Sequence, residues 1–135
     1  MGSDGIPELW MIVAIIQPFK LDAVTLALEG LPGFGGMTVS DCRGFGRGKL
    51  GSESEDADRN RPREGEGADL VDFTAKIRLE VGVAGQDRAD TVIDAIARAA
   101  HTGRKGDGKI VAWPVVRALR IRTLEEGAEA LAGAR

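Results

Sequence analysis

Apolar residues recur along this chain with two different periods, and the periods alternate. Leu9 to Gln17 is a run rich in Ile and Val that stops at Pro18, which predicts a strand. Leu21, Val24, Leu28 and Leu31 then fall on one face of a helix running from Leu21 to about Leu31. From Met37 to Arg43 the chain alternates again, with Met37, Val39 and Asp41 set against Thr38, Ser40 and Cys42. The same order then repeats: a long alternating strand from Leu70 to Val83, a helix from Arg88 to Ala100 carrying Val92, Ile93 and Ile96, and a closing strand from Ile110 to Val116. The order βαββαβ predicts an α+β fold of the ferredoxin-like type, with both helices on one face of an antiparallel sheet. The opposite face would leave Val, Ile and Leu side chains bare, so burial in a symmetric oligomer is expected.

The two halves are joined by a stretch that carries neither period. Gly44 to Asp69 opens with Gly44-Phe45-Gly46-Arg47-Gly48-Lys49 and continues as charge blocks. Glu53, Glu55, Asp56 and Asp58 come first, then Arg59, Arg61 and Arg63, then Glu64, Glu66 and Asp69. Compact domains rarely carry so long a connection unless it is functional or disordered. It reads either as a solvated hairpin tip or as an arm that orders on a ligand or partner. At its base, Gly44 and Gly46 permit close backbone approach and Arg47 offers a planar cationic fork.

Composition narrows the class. A chain of 135 residues has room for one core, so residues 1–135 are expected to form a single domain. A net charge of −3 argues against a nucleic-acid-binding protein. The longest apolar run, Leu9 to Ile16, is too short to span a bilayer, and no basic leader precedes it, so a cytoplasmic protein without direct membrane insertion is expected. Cys42 and His101 are the only cysteine and histidine and lie in different segments, which leaves no metal site and no disulfide within the chain.

The stretch with most chemistry is Thr102-Gly103-Arg104-Lys105-Gly106-Asp107-Gly108-Lys109. Its Gly-x4-Gly-Lys spacing is that of a phosphate cradle, but Ile110 stands where a P-loop needs Ser or Thr to hold magnesium. A helix precedes this loop and a strand follows it, the reverse of P-loop context. The loop therefore reads either as a polar turn or as a nest of backbone N–H groups that holds phosphate without cutting it.

Ala14-Ile15-Ile16-Gln17-Pro18-Phe19-Lys20-Leu21-Asp22, Gly36-Met37-Thr38-Val39, Gly44-Phe45-Gly46-Arg47, Val71-Asp72-Phe73, Thr102-Gly103, Gly106-Asp107-Gly108-Lys109-Ile110 and Arg120-Ile121-Arg122-Thr123 closely resemble the PII signal-transduction proteins, in order from about residue 9 to residue 131. The resemblance implies a homotrimer with an adenine-nucleotide site (ATP, ADP or AMP) in each cleft between subunits. It makes 44–69 the T-loop, which docks onto a protein partner such as a transporter or metabolic enzyme, 102–109 the B-loop, and 117–135 the C-loop and tail. It also implies that Gly106, Asp107, Gly108 and Lys109 meet the nucleotide from one subunit. Arg120 and Arg122, two apart and so on one side of an extended segment, reach in from the neighbour. Gly46 and Arg47 would close over the site, and Gly36, Thr38 and Glu80 fall where family members contact adenine or ribose.

Departures from the family pattern bear on what is sensed. The chain has no tyrosine, and Asp69 stands where the family's modified T-loop tyrosine would be, so uridylylation there is impossible. Gly48 replaces a glutamine that helps hold Mg-ATP and 2-oxoglutarate, which leaves open whether magnesium takes part. Lys76, matching the lysine that contacts the 2-oxoglutarate carboxylate, is kept. With Arg47, it suggests a smaller second effector such as bicarbonate and a role in inorganic-carbon regulation. A 2-oxoglutarate-sensing nitrogen regulator is the alternative within the family. Outside it stands a slow ATPase or phosphotransferase, for which Asp107 is the one obvious carboxylate; the expectation is a sensor, not an enzyme.

Overall fold

The computed structural model describes residues 5, 8–46 and 72–133. Strand β1 runs Leu9–Ile16, one residue short of the predicted Gln17, because Pro18 cannot donate to a ladder; Pro18–Lys20 turn instead as a single 3₁₀ turn. Helix α1 follows directly as Leu21–Glu29, burying Val24 and Leu28, and gives way at Gly30 rather than near Leu31. Strand β2 is Thr38–Gly44, one residue later than its alternation predicts. Strand β3 is Thr74–Ala84; of the expected start, Leu70 and Val71 lie outside the described residues. Helix α2, Gln86–Ala100, begins two residues before the predicted Arg88 because Gly85, at φ 95°, already turns the chain.

The last strand corrects the prediction most. β4 is Gly108–Pro114, not 110–116, so Gly108 and Lys109 belong to the sheet and Val115 and Val116 do not. Pairing decided this: Gly108 sits opposite Ile16 and Lys109 opposite Ile15. Beyond β4 the chain makes a turn and a short helix α3, Ala128–Leu131, which no apolar period announced.

The sheet order is β2-β3-β1-β4 and every pairing is antiparallel, which is the ferredoxin-like arrangement. Ile12, Ala14 and Ile16 of β1 and Ile77, Leu79, Val81 and Val83 of β3 face the helices and meet Val24, Leu28, Ala89, Val92, Ile96 and Ala100 in one core. Filling it stabilises by roughly 1.5–3 kcal/mol per large aliphatic side chain buried. The other face of the sheet is read from the register. One row runs Thr38, Glu80, Val13, Val111, and the next runs Ser40, Arg78, Ile15, Lys109. That face is more polar than the bare aliphatic surface expected from sequence, but it still leaves Val111 46% and Trp113 43% exposed.

Candidate functional site

The loop from Thr102 to Lys109 is held in shape by its own residues. Gly103, Gly106 and Gly108 take φ of 87°, 94° and 103°, a region closed to most side chains. At Gly108 the restriction is doubled, since a Cβ there would lie 1.7 Å from the carbonyl oxygen of Ile15. Asp107 ties the loop across itself. Its carboxylate accepts from the Thr102 backbone N–H at 2.7 Å, from the Gly103 N–H at 2.8 Å and from the Thr102 hydroxyl, which in turn accepts from the Arg104 N–H at 3.1 Å. The Thr102 hydroxyl first, and then those N–H groups, bring the Asp107 carboxyl from its ordinary value of 3.8 down to about 2. His101 Nδ1 lies 3.9 Å from the same carboxylate.

The loop's only acid is thus turned on its own backbone. Arg104, Lys105 and Lys109 form no ion pair among the described residues. A small cleft of about 270 Å³ opens beside them, between Ile96 and His101 of the α2 end and Gly108, Lys109 and Ile110 of β4. Concave backbone at positive φ, with unpaired cations beside it, suits a multiply charged anion.

From below, β3 sends Lys76 to the same loop. Lys76 is only 8% exposed, and its ammonium donates to the Gly106 carbonyl at 2.5 Å. Gly44 gives the lysine stem its room: a Cβ there would come within 3.3 Å of Lys76 Cγ. Gln17 approaches from β1, its Nε2 2.9 Å from where a Cβ on Gly106 would stand. Gly46, at the base of the arm and the last residue described there, is exposed at this end of the sheet. Arg47 lies outside the described residues, as do 48–69.

The other expected residues are elsewhere. Thr38 and Glu80 are paired across β2 and β3 in mid-sheet, on the face that also carries Lys76 and Lys109, and Glu80 accepts from Arg78 Nε at 3.5 Å. Gly36 is open, at φ 105°. Arg120 and Arg122 lie toward the opposite end of the sheet and are not side by side on an extended segment. The Leu124 N–H bonds back to the Arg120 carbonyl at 2.7 Å, and Arg122 falls within the turn this closes. Arg120 donates instead to the Ala132 carbonyl at 2.6 Å, where the tail passes Gly33 and Gly35. One chain therefore does not bring the arginines to the glycine-rich loop.

Sequence reasoning passed over several residues that this geometry brings into the site's neighbourhood. Arg78 sits in the Lys109 row; alternation from Lys76 to Glu80 through position 78 was the signal available. Thr102, named from sequence only as the start of the loop, serves as the clasp for Asp107. Phe45 and Phe73 meet at 5.9 Å where the arm leaves the sheet, with the Arg43 guanidinium 5.9 Å from the Phe73 ring.

This arrangement has close counterparts. A profile described as "Nitrogen regulatory protein P-II" matches residues 9–125. The nitrogen regulatory protein P-II of Bradyrhizobium diazoefficiens is 46% identical over 121 residues, covering 89% of this chain and 97% of that protein. Nitrogen regulatory protein P-II 1 of Escherichia coli K12 is 46% identical over 116 residues, 85% of this chain and 93% of that protein. A solved structure of Arabidopsis thaliana PII bound to citrate superposes with a TM-score of 0.71 at 32% identity, covering 96% of this chain and 95% of that one. With the sheet order, the glycine-rich loop and nearly its whole length matched in this way, the chain belongs to the P-II family of nitrogen regulatory proteins.

Proposed function

We propose that this regulatory protein is a non-enzymatic sensor that binds an adenine nucleotide (ATP, ADP or AMP) in clefts between the subunits of a homotrimer. Through the 44–69 arm, its T-loop, it engages or releases a protein partner. The observation that carries this reading is the glycine-rich loop, the B-loop. Its one carboxylate is hydrogen-bonded within the loop by Thr102 and Gly103, while Arg104, Lys105 and Lys109 stay unpaired among the described residues. Such a loop is preformed for polyphosphate and costs little to order when the ligand arrives. Arg120 and Arg122 lie at the far end of their own sheet, so they would complete the site of a neighbouring subunit. The exposed Val111 and Trp113 supply apolar surface for that assembly.

Asp107 was the carboxylate an ATPase would need. Held near pKa 2 by three donors, it is a weak base with its oxygens committed, which weighs against hydrolysis. For the second effector, Gly48 in place of the family's glutamine favours a compact anion such as bicarbonate near Arg47 and Lys76. The relatives' names, nitrogen regulatory protein P-II, favour a nitrogen regulator instead, the alternative in which 2-oxoglutarate would be the second effector. Calorimetry with ATP, ADP and AMP, each with and without bicarbonate or 2-oxoglutarate, tests both levels. Micromolar or tighter nucleotide binding is expected, strengthened by one anion, with the reciprocal effect on the anion's own affinity. Absence of nucleotide binding by the wild-type protein overturns the sensor reading, and sustained phosphate release over hours would replace it with the enzyme.

A further inference from the structure

A trans peptide directs its C=O and its following N–H to opposite sides. The Gly106–Asp107 peptide has its carbonyl held by the buried ammonium of Lys76, thirty positions away in sequence. The N–H of Asp107 therefore points away from Lys76, and it has no acceptor among the described residues. Glycine at 106, with φ 94°, allows this orientation, and Gln17 Nε2 crowds the position where any Cβ would stand. The Asp107 carboxylate is meanwhile fixed on Thr102 and Gly103, so the two ends of residue 107 are held by two independent clamps.

We infer that Lys76 is a positioning residue for the nucleotide loop: by holding the Gly106 carbonyl it aims the Asp107 amide N–H at the bound phosphate. The inference rests on the nucleotide reading above and adds a role for Lys76 other than contact with a second effector. One consequence is a physical link between two sites. An anion that draws Lys76 to itself loosens the Gly106 carbonyl, and the phosphate-facing N–H turns with it.

Lys76→Met keeps the length and apolar stem of the side chain while removing its donors, and Lys76→Gln serves if the methionine variant does not fold. Two measurements on wild type and variant decide the matter: Kd for ATP and for adenosine by calorimetry, and backbone amide shifts of the ligand-free protein. The expected result is a rise of about tenfold in Kd for ATP, the scale of one charge-assisted bond, with adenosine little changed. The ligand-free Asp107 amide should move, while the Thr102 and Gly103 amides, held by the other clamp, stay in place. Unchanged ATP affinity overturns the inference. So does weakened ATP binding with a stationary Asp107 amide, which would assign Lys76 to direct charge attraction. Failure of the wild-type protein to bind ATP at all removes the nucleotide reading and this inference together.

Discussion

At one end of the sheet, the Thr102–Lys109 loop is finished within a single chain: Asp107 clasps it, Lys76 anchors it and three glycines shape it. At the other end, Arg120 and Arg122 sit on a turn whose contacts are with its own tail and whose apolar neighbours are bare. Val116 is fully exposed and Ile121 is 88% exposed. The loop end is held complete by its own chain, and the tail end leaves large apolar side chains uncovered. Under the proposed function, recognition of one ligand by both would make occupancy and assembly a single property.

The sharpest test of that contrast is a glycine at each end. Gly108→Ala places a methyl inside the Ile15 carbonyl at an unfavourable φ and should destabilise the fold by roughly 3 kcal/mol or more. Gly127→Ala, at φ 68° and ψ −138° with nothing near its Cβ, should cost backbone strain alone, about 1–3 kcal/mol. Urea denaturation compares them directly, and equal costs would mean that the loop end is no more tightly built than the tail.

Next in size is the ligand. Lys109→Ala and Arg120→Ala should each weaken nucleotide binding by about 1.5–3 kcal/mol, a factor of roughly ten to a hundred. If the half-sites come from different chains, co-refolding the two variants restores some clefts with both residues intact. A fraction of sites with wild-type affinity is expected by calorimetry. Recovery of none would place both residues in the cleft of one chain.

A pH titration probes the clasp alone. The folded pKa of Asp107 is depressed, so its contribution is fully present above the ordinary value of 3.8 and is lost as pH falls toward about 2. The Thr102 and Gly103 amide shifts should titrate with a midpoint near 2, and in Asp107→Asn they should not titrate at all. A midpoint near 3.8 would show that the clasp is not formed in solution.

The smallest effect is expected at the tail. Arg117 and Glu126 pair at 2.7 Å, but both are largely exposed, so Glu126→Gln should change stability by no more than about 0.5–1 kcal/mol. A larger loss would show this turn to be more rigid than its exposure implies.

Much of the fold was legible because strands and helices of this length are set by local apolar period and by breakers such as Pro18. The element order, the α+β class and the glycine-rich loop all followed from residues close together in the chain. Boundaries shifted where pairing overruled local pattern, as at Gly108 and Lys109, which Ile16 and Ile15 draw into β4. The arm through Arg47 stayed legible only as composition, since it lies outside the described residues.

The sequence by itself thus determined which elements form, where a phosphate-suited loop falls and which cations are available to it, because those properties depend on neighbours a few residues apart. Tertiary structure alone decided how the charges are spent. That Lys76 would be buried on the Gly106 carbonyl, that Asp107 would be consumed by its own loop, and that Arg120 would lie at the far end from Lys109 are consequences of sheet register and chain return. The Lys76 contact joins residues thirty positions apart, and the register behind the Arg120–Lys109 separation pairs strands as distant as Ile15 and Lys109; no period along the chain encodes such meetings.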